Sequence, residues 1–282
     1  LWSNLPQNQP SSGHQITHCL FLHGFDISLL HQEDYQLAFG RFSGVLDELD
    51  IPLIACQTNA HSFTEGLLKW DYAHGTALLS PALVLSPFFE RFYIPSSFTY
   101  NALSPWGSSV VVDHLLSTEL TQMIHHGASM TKLDKLEAIA GWDAARENLR
   151  VCTDSWKRDG VQNCSQCYKC VRTMISLDIL GKLDEFVTFN RRIALPDILR
   201  WVFNNSVAGR RTSEIITYAV SRRKWGYLPL LWSAVLAGWV RYWVKEWMPA
   251  GWFRALKQHF YPPDKNLFLH STIQARVKEE SE

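Results

Sequence analysis

The sequence predicts an α/β protein with a parallel sheet, followed by a helical carboxyl-terminal region. In the first part of the 282-residue chain, short apolar runs alternate with segments of helical periodicity, as in layered α/β domains. Four cysteines then lie close together, and tryptophan-rich helical patterns follow residue 175. We therefore expect a lead-in at residues 1–15 and an α/β domain at 16–175, which includes a metal knuckle at 152–170. A helical region should follow at 176–262 and a polar tail at 263–282.

Composition narrows the classes of function. The chain holds 27 Lys and Arg against 27 Asp and Glu, so its formal charge is zero. A protein whose main role is to bind the phosphate backbone of nucleic acid is normally basic, so nucleic acid is not predicted as the partner. The apolar share of 46% is too high for a disordered chain. No signal peptide pattern stands near residue 1, and we expect a cytoplasmic protein that acts on a small molecule.

Three short apolar runs indicate strands, at residues 16–25, 51–56 and 91–95. Their length and their content of β-branched and aromatic residues are typical of strands in a parallel sheet, and we expect the first two to be buried. Helical spacing of apolar residues over 35–49 and 70–85 places a helix between successive strands.

Polar residues follow each predicted strand. They are Asp26, Thr58, Asn59, Ser96 and Ser97. In open parallel sheets ligands bind beyond the carboxyl ends of the strands, so these side chains are candidates for ligand contact. The alternative is that they are ordinary turn residues, since turns favour Asp, Asn, Ser and Thr.

Residues 130–149 have the pattern of one further helix, with Ser129 or Thr131 as its cap. Its apolar residues share one face, while Lys132 and Lys135 belong to the polar face. The pair His125-His126, followed by Gly127, indicates a bend rather than a metal site, because adjacent side chains point apart.

The carboxyl-terminal part predicts helices over 195–203, 213–220 and 230–247, with many tryptophans. The uncharged run 225–240 is shorter than the roughly 20 residues of a membrane-spanning helix, and Pro229 interrupts its start. A buried or interfacial helix is therefore favoured. Tryptophans at helical spacing are more often core or partner surface than a membrane anchor or a cofactor site.

The cysteine cluster has the spacing C-x11-C-x2-C-x2-C and consists of Cys152, Cys164, Cys167 and Cys170. A C-x2-C turn lets two thiolates converge on one tetrahedral ion. Four thiolates leave no position for water, so the spacing favours a structural Zn²⁺ site over a catalytic one. A helix that starts near Cys170 would add a positive end that favours thiolate.

Other interpretations of the cluster remain open. An iron–sulfur cluster also takes four cysteines, and spacing alone does not distinguish it from zinc. A dithiol redox motif needs one C-x2-C and no fourth cysteine, and free thiols need no metal at all. Disulfides are disfavoured, because no secretion signal is seen.

The order of motifs over residues 16–175 resembles one family. The strand end Gly24-Phe25-Asp26 is followed by His74-Gly75 on a helix, by the segments 93–97 and 106–109, and by the cysteine run 163–172. This order resembles the PP-loop ATP pyrophosphatases, especially the 7-cyano-7-deazaguanine synthase branch. In that branch a cysteine and a Cys-x2-Cys-x2-Cys knuckle followed by Arg hold zinc beside a Rossmann-like (HUP) domain. The resemblance therefore implies a partial Rossmann-like parallel sheet.

One part of the family pattern is absent. The phosphate loop Ser-Gly-Gly-x-Asp-Ser, which cradles the ATP phosphates after the family's central first strand, does not occur here. By this resemblance, residues 16–25 correspond to the family's second strand. We expect the first strand, its loop and its helix to lie upstream of Leu1, and the present chain alone to be inactive.

The resemblance implies adenylation with ATP and Mg²⁺, by a ligase, an amidotransferase or a nucleobase-modifying enzyme of the queuosine-synthesis kind. Carried over by position, the residues near the nucleotide are Gly24, Phe25, Asp26, His74 and Gly75. Those on the substrate side are Ser96, Ser97, Trp106, Gly107, Ser108 and Lys132. A competing hypothesis is a non-catalytic, zinc-stabilised scaffold that has lost the phosphate loop, and a third treats the tryptophan-rich helices as a membrane-surface anchor.

Overall fold

The strands seen in the described residues form two parallel pairs. The computed structural model describes residues 1–64, 67–152, 162–190, 192–193, 197 and 208–247. Strand β1 (Cys19–His23) pairs with β2 (Leu53–Gln57), and β3 (Arg91–Pro95) pairs with β4 (Gln122–His126). The described residues thus have a mixed α/β fold with short parallel strand pairs, as the alternation of patterns predicts.

Two expectations about the strands were wrong. The first two were expected to be buried, yet four of the five residues of β1 are only half-buried, and β2 has three half-buried and two exposed residues. The physical reason is that each pair is only two strands wide, so one edge of β1 has no strand beside it in the described part of the chain. The bend expected at His125-His126 is instead the end of β4, and the turn comes at Gly127, where φ is +80°.

Eight α-helices are seen in the described residues. They are α1 (Gln32–Asp47), α2 (Ala60–Thr64), α3 (Trp70–Val84), α4 (Lys132–Ile139), α5 (Asp143–Asn148), α6 (Tyr168–Leu180), α7 (Ala208–Ser221) and α8 (Leu228–Trp247). The predictions for α1, α3 and α8 are confirmed to within three residues, whereas α7 begins five residues before its predicted start. The helix predicted over 195–203 lies outside the described residues, apart from Asp197.

The single helix predicted over 130–149 is two helices. Helix α4 starts at a capping box, in which Thr131 Oγ1 accepts from the Asp134 N–H and the Asp134 carboxylate accepts from the Thr131 N–H, so the Thr131 cap is confirmed. It ends at Ile139, and α5 begins after Gly141. The apolar spacing continues across the break, which is why periodicity alone could not place it.

Helix α6 is the centre of the core. Val171, Ile175 and Ile179 pack with Leu133 of α4 and with buried side chains of α7 and α8. Its other face carries Leu177, which packs against the α4–α5 region. Residue 175, where the composition changes, therefore lies in the middle of a helix that contacts both parts of the chain.

A cavity of about 850 Å³ separates the two strand pairs. Its walls include Cys19–Leu22 of β1 and Arg91–Pro95 of β3, together with Gln15–His18, which precede β1. The rings of His18 and Phe89, just before the two strands, lie 5.1 Å apart, so the amino ends of β1 and β3 are close to each other. Within the described ranges, no helix has both the length and the apolar character needed to cross a membrane.

Candidate functional site

The four cysteines of the knuckle meet at one point. Their Sγ atoms all lie within 4.8 Å of one another. The contacts Cys152–Cys167, Cys164–Cys170 and Cys167–Cys170 measure 3.8, 3.9 and 3.4 Å. Four thiolates at the usual Zn–S distance of about 2.3 Å around one ion are about 3.8 Å apart, which agrees with these values. The cluster could hold one metal ion and is compatible with structural zinc.

Local backbone geometry builds the knuckle. The N–H of Cys167 donates to Cys164 Sγ at 3.2 Å, and the N–H of Cys170 donates to Cys167 Sγ at 3.5 Å. Cys167 is the N-cap of α6, so the expectation of a helix start near Cys170 is confirmed. Ser165 takes a positive φ of 54° inside the turn, which brings the thiols before and after it to the same side.

Asn163 fixes the distant cysteine to the turn. Its fully buried side chain accepts from the N–H groups of Val151 and Cys152 at 2.9 and 3.2 Å and donates to the Leu149 carbonyl at 2.7 Å. The sequence analysis did not single out this residue, although its position next to Cys164 was a possible signal. Asn163 therefore holds Cys152 beside the other three cysteines.

The crowding of four thiols shifts their pKa values in opposite directions. Hydrogen bonds from Cys152, Cys167 and Cys170 hold the pKa of Cys164 far below its usual value. Hydrogen bonds with the other three thiols raise the pKa of Cys170. One thiolate is thus stabilised at the expense of its neighbours, and a bound cation would favour the loss of the remaining protons.

The predicted strand-end residues do follow the strands. Gly24 comes directly after β1 with φ of +102°, and a Cβ there would lie 1.9 Å from the Thr58 carbonyl oxygen after β2. Phe25 and Asp26 line the cavity between the strand pairs, and so does His74 of α3. Ser96 follows β3 and is buried, whereas Ser97 is exposed.

Two glycine segments that the resemblance assigns to opposite sides of the site touch each other. A Cβ on Gly75 would lie 1.8 Å from the carbonyl oxygen of Gly107, and the Gly107 N–H donates to the Asp71 carbonyl at 2.8 Å. Helix α3 therefore packs backbone to backbone against the Trp106–Gly107–Ser108 segment. Ser108 donates to the buried Asp113 carboxylate at 2.8 Å, which anchors that segment from below.

A row of aromatic rings crosses the carboxyl ends of β1 and β3. Phe25 after β1 contacts Trp70 at 5.4 Å, and Phe98 after β3 contacts Trp106 at 5.5 Å. His74 joins the two halves, because its ring lies 6.2 Å from Trp70 and 5.0 Å from Trp106. The Trp106 indole N–H is buried without a hydrogen-bond partner. The row shows that β1 and β3 end on the same side and offers flat apolar surfaces there.

A lysine missed by the sequence analysis reaches the same edge. Lys135 Nζ donates to the Ser96 carbonyl at 3.0 Å and to Ser96 Oγ at 2.5 Å. Its half-burial lowers the pKa of the ammonium group. The sequence placed Lys135 on the polar face of α4 and favoured Lys132, which is exposed at the first position of that helix.

Asp113 and His125 form a buried pair beneath this edge. His125 Nδ1 lies 2.7 Å from Asp113 Oδ2, with the carboxylate fully buried. The same carboxylate accepts from the Ser109 N–H at 3.2 Å, so it ties β4 to the segment that packs on α3. The Asp113–His125 pair thus holds the segment that contains Gly107 in place. Because the pair is buried, it is not a reaction centre open to substrate.

Comparison of the chain with family models, with curated proteins and with solved structures finds no match.

Proposed function

We propose that this chain belongs to an ATP-dependent adenylating enzyme of the PP-loop type, with zinc in its cysteine knuckle. In this chemistry ATP, with Mg²⁺, activates a carbonyl or carboxylate oxygen as an adenylate and releases pyrophosphate, and a nucleophile then displaces AMP. The present chain would supply the base-binding edge and the zinc-stabilised support. A strand and phosphate loop from a segment outside these residues would supply the phosphate cradle.

The observation that carries the proposal is the cavity between two parallel strand pairs. β1 and β3 start close together, end on the same side, and present edges that no strand covers within the described ranges. One added strand, at the usual spacing of about 4.8 Å from each neighbour, would join the pairs into a single five-stranded parallel sheet. In such sheets the ligand lies beyond the carboxyl ends, near the point where the strand order reverses.

The aromatic row supports a nucleotide as the ligand. Purine bases stack on flat aromatic side chains, and His74 and Phe25 lie both in the row and in the cavity wall. Lys135 lies at the same edge, but its amine is engaged with Ser96, so it would have to exchange partners to reach a phosphate.

The spacing of the sulfurs supports zinc as the metal. An iron–sulfur cluster holds its thiolates around several metal atoms and so keeps them farther apart than one ion does. Here every sulfur pair lies within 4.8 Å. A closed four-thiolate site leaves no coordination position for substrate, so the ion would stabilise the knuckle and take no part in the reaction.

The nucleotide proposal is tested by comparing ligands on the chain as it is. Because the phosphate cradle is absent, adenosine and Mg–ATP should bind with similar, weak affinity, observed as saturation-transfer NMR signals from the adenine protons. Trp70→Leu should reduce these signals severalfold, since it removes the centre of one half of the row. Tyr72→Leu, an exposed aromatic on the same helix, is the matched control and should leave them unchanged.

Absence of any adenine signal, or equal signals in all three proteins, would refute the base-binding edge. The coding sequence upstream of Leu1 gives a second check. An apolar run followed by Ser-Gly-Gly-x-Asp-Ser would support the enzyme, whereas a start codon at this point would favour the scaffold hypothesis.

The zinc proposal is tested by metal analysis of the purified chain, which should give about one zinc per chain. Cys164→Ser should lose the metal and much of its solubility, because three thiolates leave the site open. Cys56→Ser is the matched control, since Cys56 is a half-buried free cysteine on β2 outside the cluster. A Cys164→Ser protein that is well folded and free of metal would contradict a stabilising role.

A further inference from the structure

The outer face of α8 carries an uninterrupted stripe of large apolar side chains. The stripe consists of Trp232, Leu236, Trp239, Val240, Trp243 and Trp247, which follow one another at spacings of one, three or four residues and so share one side of the helix. Their side chains are 42–79% exposed. Of the two places expected for these tryptophans, core or partner surface, their exposure excludes the core for the stripe.

The opposite face of α8 is already packed. Leu231 is fully buried against Ile215 and Ala219 of α7, and Leu228 and Ala237 pack around the same cluster. Tyr227, just before α8, donates to the Asp178 carboxylate of α6. The helix is thus fixed to the body of the protein through one face, and the stripe is a second apolar surface, not a core face turned outward.

The composition of the stripe distinguishes it from an ordinary apolar patch. Trp239 and Trp243 contact edge to face at 5.6 Å, and Trp243 and Trp247 lie 6.3 Å apart. Residues 225–252 contain six of the twelve tryptophans of the chain. Indole has an apolar body and one N–H donor, and this combination places tryptophan at the boundary between acyl chains and headgroups of a bilayer.

Charge provides the second, independent observation. The chain as a whole is neutral, but residues 222–257 contain seven basic residues and one acidic residue, Glu246. Arg223 and Lys224 are exposed at the turn that leads into α8. A second copy of the chain would bring the same excess of positive charge to the contact and be repelled, whereas an anionic surface would be attracted.

We infer that the stripe of α8 docks on an anionic lipid surface, with the helix axis parallel to the membrane and the indoles at headgroup depth. Helices that bind in this way combine an aromatic and apolar face with Lys and Arg nearby. Binding should then depend both on the tryptophans and on anionic lipid, and should weaken as salt screens the charges. This inference is independent of the nucleotide proposal, because it uses none of the strand-end residues.

The test is co-sedimentation of the full chain with vesicles of phosphatidylcholine, with and without phosphatidylglycerol, at low and high salt. We expect binding to the anionic vesicles that falls at high salt. Trp239→Ser/Trp243→Ser should weaken it by at least about tenfold, because binding scales with buried apolar area. Arg223→Gln/Lys224→Gln should weaken vesicle binding about fivefold for each charge removed. The reason is that each basic residue near an anionic membrane contributes roughly 1 kcal/mol to binding.

The matched control is Leu120→Ser/Val187→Ser, which removes two exposed apolar side chains far from α8 in the chain and should bind like the parent. Zinc content and circular dichroism of each variant show that it is folded. Failure to bind any vesicle, or binding that neither variant pair weakens, would overturn the inference. So would a dimer, seen by light scattering, that Trp239→Ser/Trp243→Ser converts to monomer without any vesicle binding, since the stripe would then be a contact between copies.

Discussion

The contact between Gly75 and Gly107 brings two main chains closer than any side chain would allow. It joins α3 to the segment that carries Trp106, and thereby sets the spacing of the aromatic row. A methyl group on Gly75 would meet the Gly107 carbonyl oxygen at 1.8 Å, and neither backbone can move without shifting a ring of the row. The hydrogen bond from the Gly107 N–H to the Asp71 carbonyl also keeps the two main chains close together.

Gly75→Ala should therefore destabilise the protein by about 1–3 kcal/mol, the usual cost of overpacking a closed site. Gly44→Ala is the matched control, because Gly44 lies inside α1 with nothing within 4 Å of the added methyl group. That change should instead stabilise by about 0.5–1 kcal/mol, since alanine loses less backbone entropy in a helix. Urea midpoints of both variants measure the difference, and equal midpoints would show that the contact is not tight.

At the scale of single residues, the sequence predicted the grouping of the four cysteines, but it missed the residues that support the site. The spacing of cysteines is a local signal, so Cys152, Cys164, Cys167 and Cys170 could be grouped without a structure. Lys135 was placed among polar side chains because its spacing in α4 says nothing about where a long, flexible side chain ends. The contact to Ser96 joins residues 39 apart in sequence and leaves no local pattern.

The knuckle is an element whose stability is linked to pH. Among the four thiols, the pKa of Cys164 is far below its usual value, those of Cys167 and Cys170 are raised, and Cys152 has a pKa of about 7. For Cys152, the largest single effect is a hydrogen bond with Cys164 that raises the pKa, and the bonds with Cys167 and Cys170 outweigh it. A bound zinc ion requires all four to be thiolates, so binding must release the protons that remain.

Zinc binding should accordingly release about two protons at pH 8, where Cys152 is already a thiolate, and about three at pH 6, where it is protonated. Each proton released on binding changes the affinity for zinc about tenfold per pH unit. Release of two to three protons should therefore lower the zinc affinity by about a hundredfold to a thousandfold for each unit by which the pH decreases. Calorimetry in buffers of different ionisation enthalpy counts the protons, with Cys56→Ser as the control. A proton count that rises with pH would contradict the assignment.

Elements with a strong local pattern were predicted, and those without one were missed. Helix α3 was placed almost to the residue, because its apolar spacing is long and bounded by clear ends. Strand β4 was not predicted, since its sequence Gln-Met-Ile-His-His has neither the alternation nor the apolar run of a strand. Strand β4 forms because its backbone pairs with that of β3, from Arg91↔Gln122 to Pro95↔His126. This pairing is a tertiary contact, and the local sequence does not reveal it.

For the whole molecule, the cavity between the strand pairs leaves a definite pattern of unpaired amides. The N–H of Cys19 donates to Pro52 and that of Ser96 donates to His126. Since successive residues of a strand point to opposite edges, the amides of Leu20, Leu22 and Tyr93 face away from their partner strands. These residues also line the cavity.

Hydrogen exchange followed by NMR should therefore show Leu20, Leu22 and Tyr93 exchanging about a hundredfold faster than their neighbours Phe21, Phe92 and Ile94, whose amides face the paired strand. The neighbours in the same strands serve as the internal control. Equal protection of both sets would mean that another strand already occupies the cavity. In a longer chain that supplies such a strand, hydrogen exchange should become slower at Leu20, Leu22 and Tyr93. The sequence alone could not reveal this gap, because apolar runs indicate strands but not their neighbours.

The position of Asn163 and the four sulfurs has a practical consequence for engineering. Cys152 and Cys164 lie far apart in sequence relative to the other two cysteines, yet their thiols are within 4.8 Å of each other. The two cysteines themselves bring these chain positions together, and doubling the number of residues between them would add only about 0.6 kcal/mol to the entropy cost of closing a flexible chain. Insertion of a peptide between Cys152 and Cys164 should therefore leave the four sulfurs grouped, and metal analysis of the lengthened chain would check this.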